Sequence, residues 1–140
     1  MTNIMLCQTD VEILSCYPVM SQLRPQIDEN EFVGCVRDQM QAGYQLVCIQ
    51  TNDVVSAVAG YRIAKNLAWG KYLYVDDLVT DSATRSTGMG KQLLHWLIEE
   101  ARNNSCSQCH LDSGVQRLDA HRFYEREGMH FASQHFVVDL

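Results

Sequence analysis

The sequence contains no run of about 18 apolar residues, so no membrane-spanning helix is expected. It has no excess of positive charge: 11 Lys and Arg stand against 17 Asp and Glu, for a net charge of −6. That balance argues against a nucleic-acid binder, which ordinarily presents a basic face. Proline is scarce, with two occurrences, Pro18 and Pro25, and there is no repeat, linker or low-complexity stretch. Residues 1–140 are therefore read as one domain. The opening residues, Met1 to Cys7, lack a basic segment followed by a long apolar one. No export signal is expected, and the protein is placed in the cytoplasm. Cysteine is plentiful, at positions 7, 16, 35, 48, 106 and 109. Most of these lie in apolar segments such as Leu46-Val-Cys-Ile49, where cysteine behaves as a small buried hydrophobe. Free thiols in a reducing compartment are expected rather than a disulfide framework.

Periodicity outlines the elements. Residues 3–8 read as a short strand, and a helical segment runs from Asp10 to about Leu23 with Pro18 interrupting it. Asp28 answered by Glu31 resembles a capping box, and Phe32, Val33, Val36 and Met40 mark one helix face before Gly43 stops it. Tyr44–Gln50, a turn at Thr51-Asn-Asp53 and Val54–Ala64 read as an antiparallel hairpin. The loop Asn66–Gly70 leads to a third strand, Lys71–Thr80, rich in Tyr, Leu and Val. From Gly88, the residues Met89, Leu93, Leu94, Leu97, Ile98 and Ala101 recur at amphipathic-helix spacing. Then follow a strand at Gln108–Asp112, a helix at Leu118–Glu127 closed by Gly128, and a last strand at Phe131–Val138. The order implies an α/β (α+β) domain with a mixed sheet.

The segment Asp81–Lys91 carries the chemistry. A strand runs into a polar loop and then into a helix opening at Gly88-Met-Gly90. Glycine lets the backbone turn tightly and approach a ligand. The first amides of a helix have no intrahelical partner and the dipole is positive there, so a phosphate or pyrophosphate fits. Arg85 and Lys91 flank the turn and add charge-assisted contacts. A dinucleotide fingerprint would need glycine where Leu93 stands. A P-loop would need glycine at Arg85 and Ser or Thr at Gln92.

What remains, Arg85-x-x-Gly88-x-Gly90 after Asp76-Asp-Leu-Val-Thr80, resembles the signature of the GNAT N-acetyltransferase superfamily. That family's second hallmark, a Phe-Tyr or Leu-Tyr pair on a helix shortly before a glycine, is matched by Ala120-His-Arg-Phe-Tyr-Glu-Arg-Glu-Gly128. The resemblance covers Tyr44 to Leu140 well and the first forty residues loosely. It implies a mostly antiparallel central sheet flanked by helices and splayed at its two central parallel strands, Lys71–Thr80 and Gln108–Asp112. It also implies acetyl-CoA as co-substrate, with no metal. The backbone of Leu78, Val79 and Thr80 would pair with the pantetheine arm, and the amides of Thr87, Gly88, Met89, Gly90 and Lys91 would hold the pyrophosphate beside Arg85. Tyr124 occupies the position of the acid that protonates the departing thiolate. Tyr74-Val-Asp-Asp-Leu78 is similar to the Tyr-x-Glu-Asp segment of diamine-type members, which makes Asp76 the expected base, acting through water, and Asp77 the alternative. An ordinary Asp, with pKa about 3.9, needs burial or a like-charged neighbour to serve so. In a regular strand Asp77 would face away from Asp76 unless a bulge shifts the register.

One departure from the family pattern stands at Arg117, where many members carry Asn at the start of the last long helix. His121, three residues before Tyr124, is expected to lie on the helix surface or pack. Cys106-Ser-Gln-Cys109-His110 matches a haem-attachment pattern, but no export route or open apolar pocket accompanies it, and neither a zinc site nor a redox thiol pair is favoured. The expected function is acetyl transfer to a primary amine of a small molecule. The alternatives are acetylation of a protein N-terminus or lysine, and a non-catalytic acyl-CoA-binding module. Many members form homodimers, and exposed sheet edges would suit that.

Overall fold

The hairpin at the centre of the sheet follows from two residues. β2 (Gln45–Thr51) and β3 (Val54–Asn66) are joined by Asn52 and Asp53, both at positive φ. Asn and Asp tolerate that conformation, and the resulting twist matches the flanking strands. β1 (Thr2–Leu6) pairs antiparallel with β2, and β4 (Gly70–Thr80) pairs antiparallel with β3. β5 (Gln108–Leu111) lies parallel to β4 and completes a sheet of order β1-β2-β3-β4-β5. The fold is the mixed, mostly antiparallel sheet with flanking helices that the sequence implied. The computed structural model describes residues 2–85 and 87–140.

Residues 46–49 of β2 are all buried, so both faces of the sheet are covered. Leu46 and Cys48 join the core formed with α1 (Asp10–Ser15), α2 (Tyr17–Leu23) and α3 (Glu29–Met40). Val47 and Ile49 alternate to the other face. There α4 (Met89–Asn103) packs on the strands through Leu93, Leu94 and Leu97, and its Trp96 meets Tyr61 edge-on at 5.9 Å.

Four expectations are corrected. The interruption expected within Asp10–Leu23 falls at Cys16, between α1 and α2, rather than at Pro18. Pro18 sits in the first turn of α2, where a missing N–H costs nothing. The capping box is at Thr9 and Glu12, whose side chains and amides reciprocate; Asp28 precedes α3 but makes no side-chain cap. β3 extends to Asn66, so the loop before β4 is shorter than expected. Residues 131–138 form no strand, and Phe131, Phe136, Val137 and Val138 are exposed. β-branched and aromatic residues favour a strand only where a neighbour supplies ladder hydrogen bonds.

The chain divides into two compact units, one ending at His110 and the other spanning Leu111–Leu140. The second contains α5 (Leu118–Arg126), which closes at Gly128 with φ +98°.

Candidate active site

Strand β4 departs from regularity where its sequence is most acidic. Gly60 on β3 faces Asp77 and Tyr61 faces Val75, which leaves Asp76 as the extra residue of a bulge. The extra residue lets two consecutive carboxylates line one pocket, a cavity of about 560 Å³ in the first unit. Its walls come from α2, α3 and the strands, with Arg24, Phe32, Tyr44 and Arg62 among the lining side chains.

Each carboxylate has defined partners. Asp76 accepts two hydrogen bonds from Arg62, from Nε and Nη2, both at 2.8 Å. Asp77 accepts from Arg24 Nε at 2.8 Å and from the Tyr44 hydroxyl at 2.8 Å. Arg24 Nη2 also donates to the Asp76 carbonyl at 3.0 Å, so one guanidinium ties both residues of the bulge to α2. The Tyr44 phenol is pushed far above its ordinary pKa by burial and by the Asp77 carboxylate, so it remains a donor. Its hydroxyl passes directly over Gly60: a Cβ there would lie 1.7 Å from Tyr44 Oη. Arg24, Tyr44 and Gly60 were not singled out from the sequence. Their one local signal is a glycine inside a strand pattern, which marks close backbone approach.

At the far end of β4, Leu78, Val79 and Thr80 pair with Ala59, Val58 and Ala57 on one side. On the other side β5 enters beside Lys71, through Ser107 N–H donating to its carbonyl at 2.8 Å. Four parallel residues reach about 13 Å at roughly 3.3 Å each, which falls short of Leu78–Thr80. Asp81 caps the short helical turn Ser82–Thr84, and Gln22 Nε2 donates to the Asp81 carboxylate at 2.9 Å. Gly88 is the residue ahead of α4, at φ +85°, which only glycine adopts without strain. Among the described residues, the Gln92 N–H donates to the Gly88 carbonyl at 3.0 Å in the first turn of α4. Arg85 and Thr87 are exposed beside them, the Thr87 hydroxyl donating to the Thr84 carbonyl.

In the second unit, Tyr124 and Phe123 stand side by side on α5, ring centroids 5.3 Å apart. Burial raises the Tyr124 pKa and the nearby Arg117 charge acts in the opposite direction. His121 hydrogen-bonds the Gly114 carbonyl at 2.7 Å.

The Cys106-x-x-Cys109-His110 segment has partners of its own. His110 stacks on Trp69 with centroids 3.5 Å apart, and burial pushes the Cys109 thiol up to about 11. A thiol held protonated makes a poor nucleophile or ligand at neutral pH. Among the described residues, Cys7, Cys16 and Cys48 bring three sulfur atoms together instead, with Cys7 Sγ 3.5 Å from each of the other two. All three are buried in the core as free thiols.

A parallel strand pair, a glycine turn opening a helix and a pocket lined by two carboxylates are carried on one mixed sheet and its flanking helices. The acetyltransferase (GNAT) family model matches residues 11–129, and the chain belongs to that family. It is 36% identical over 112 residues to the uncharacterized N-acetyltransferase YhdJ of Bacillus subtilis, covering 77% of each chain. Over 62 residues it is 40% identical to an aminoalkylphosphonate N-acetyltransferase of Salmonella typhimurium, covering 44% of this chain and 39% of that one. The fold matches an aminoglycoside N-acetyltransferase solved in complex with CoA, at TM-score 0.88 and 12% identity, over 100% of this chain and 95% of the other. The family and these relatives make the protein an N-acetyltransferase. Among the described residues no helix is long and apolar enough to cross a membrane.

Proposed function

We propose that the protein transfers the acetyl group of acetyl-CoA to the primary amine of a small-molecule acceptor in a ternary complex, with the acceptor in the pocket over Asp76 and Asp77. The observation that carries this reading is the bulge, which turns two adjacent carboxylates into one cavity. An aminoalkylphosphonate enzyme and an aminoglycoside enzyme among the similar proteins support a small-molecule amine.

The donor binds by backbone. The pyrophosphate lies on the amides of Thr87–Lys91 beside Arg85, and the pantetheine arm extends along Leu78–Thr80. The acceptor arrives as an ammonium, which has no lone pair until it loses a proton. Asp76 takes that proton through water. A carboxylate offers about four lone-pair sites, and Arg62 uses two of them. The amine nitrogen then attacks the thioester carbon, the C–S bond breaks, Tyr124 protonates the departing thiolate, and the excess proton on the newly acylated nitrogen returns to the Tyr124 phenolate. General acid and base contribute about 10²–10⁴-fold each, and holding both substrates together contributes at least as much.

Calorimetric titration with acetyl-CoA, with NAD and ATP as controls, tests the donor, and thiol release across a panel of amines tests the reaction. Binding of acetyl-CoA alone together with amine-dependent thiol release is expected. No binding would remove the donor site. Binding without turnover of any amine would leave an acyl-CoA-binding module.

A further inference from the structure

Given that the pocket over Asp76 and Asp77 takes the acceptor, as proposed above, we infer that the acceptor is an amine that also carries an oxyanion (a carboxylate, phosphate or phosphonate) and enters as a zwitterion, its anionic end held by Arg24 and Arg62.

Charge sets the first constraint. The charged groups lining the pocket are Arg24, Arg62, Asp76 and Asp77, two of each sign. Tyr44 adds none, because burial and Asp77 hold its phenol neutral. A polyamine would bring several positive charges into a pocket with no net charge to receive them. A zwitterion brings none in excess.

Pairing sets the second. Both carboxylates are already bonded to guanidiniums. An ammonium that approaches them competes with Arg62 and Arg24, and each bond it takes leaves a guanidinium without its counter-charge. A partly buried charge left unpaired is costly. An acceptor with its own anion resolves this by exchange: its ammonium meets the carboxylates while its oxyanion meets the guanidiniums, and every charge keeps a partner.

The layout allows the exchange. The guanidinium side chains are the more open, at 39% for Arg24 and 46% for Arg62, and the carboxylates lie deeper, at 12% for Asp77 and 23% for Asp76. Arg62 uses Nε and Nη2 toward Asp76, and Arg24 uses Nε and Nη2 toward the bulge, so Nη1 of each is not engaged by either aspartate. A guanidinium has five N–H donors in a fork suited to oxyanions. Phe32, Ile27 and Val36 offer an apolar wall for the carbon chain between the two ends.

The test compares acceptors of equal length at saturating acetyl-CoA: an ω-aminoalkyl carboxylate and phosphonate, the corresponding amide, and a diamine. The expected result is a kcat/KM for the anionic amines about 10- to 100-fold above the amide and the diamine, the range of one or two charge-assisted hydrogen bonds. Arg62→Gln and Arg24→Gln should raise KM for the anionic amines by a similar factor and narrow or invert the preference. Turnover of the amide or diamine as efficient as that of the anionic amines overturns the inference while leaving the acetyltransferase reading intact. If acetyl-CoA binds but no amine turns over, calorimetric titration of the same compounds into the acetyl-CoA complex reads the preference directly, and binding of none overturns it. Failure to bind acetyl-CoA removes both readings.

Discussion

Replacing Gly60 with alanine probes the contact on which the pocket over Asp76 and Asp77 rests. The added Cβ would lie 1.7 Å from Tyr44 Oη, 2.2 Å from Cζ and 2.5 Å from Cε1, all far inside van der Waals contact. The obstructing atoms belong to a ring that is 3% exposed, so it cannot turn aside without leaving its place in the core. Overpacking of this kind costs about 1–3 kcal/mol. Displacing the ring also breaks the Tyr44–Asp77 hydrogen bond, and a bond to a charged acceptor contributes about 1.5–3 kcal/mol. A loss of about 3–5 kcal/mol in unfolding free energy is therefore expected from urea denaturation. Acceptor KM should rise, because Asp77 loses one of its two donors, while acetyl-CoA affinity stays nearly constant. In a double-mutant cycle, Tyr44→Ala should cost far less in the Gly60→Ala background than alone, since the clash has no second partner left. A Gly60→Ala protein within about 0.5 kcal/mol of the parent, with unchanged acceptor KM, would refute the close approach and the placement of Asp77 that depends on it.

Further perturbations bear on the other parts of the site. Gly88→Glu puts a carboxylate and a strained φ of +85° into the turn ahead of α4, and calorimetry should show acetyl-CoA binding abolished; retained affinity places the pyrophosphate elsewhere. Tyr124→Phe should lower turnover by about 10²-fold with little change in acetyl-CoA affinity, and an undiminished turnover number removes Tyr124 from the reaction. Because burial raises the Tyr124 pKa, its acid form persists past the ordinary value of about 10. A pH–rate profile should show no alkaline loss from this group below that value. Tyr44 has a raised folded-state pKa as well, so its contribution to stability is complete below about pH 10 and is lost only as pH climbs further; denaturation midpoints that decline between pH 7 and 9 on account of Tyr44 would contradict this. An aromatic disulfide reagent should label the exposed Cys35 rapidly and reach Cys7, Cys16 and Cys48 only on unfolding; prompt labelling of that buried trio would mean the core under α1–α3 opens readily.

The glycine turn and the helix behind it were legible in the chain because their determinants are local. Gly88 must be glycine for reasons contained in one turn, and the apolar spacing of Leu93, Leu94 and Leu97 fixes the face of α4 without reference to anything distant. Asn52 and Asp53 close a hairpin by their own conformational tolerance. Even the family resemblance rested on two short segments, each complete in itself. The capping box shows where local reading becomes ambiguous: Asp28 with Glu31 and Thr9 with Glu12 are equally good patterns, and the tertiary structure uses the second.

The remainder depends on which strand meets which, and in what register. Nothing within Tyr74–Leu78 states that Asp76 is the extra residue of a bulge; that follows from pairing with Gly60 and Tyr61. Arg24 is 53 residues from Asp77, and only docking of α2 on the sheet makes them partners. Residues 131–138 have the composition of a strand yet form none, because composition supplies a preference and a neighbour supplies the hydrogen bonds. The sequence by itself determined the turn that suits a phosphate, the helix behind it and the class of fold, since those arise from contacts within a few residues. The tertiary structure alone decided that two carboxylates, two guanidiniums and a buried phenol share one pocket, since that requires the alignment of segments that meet only when the sheet has formed.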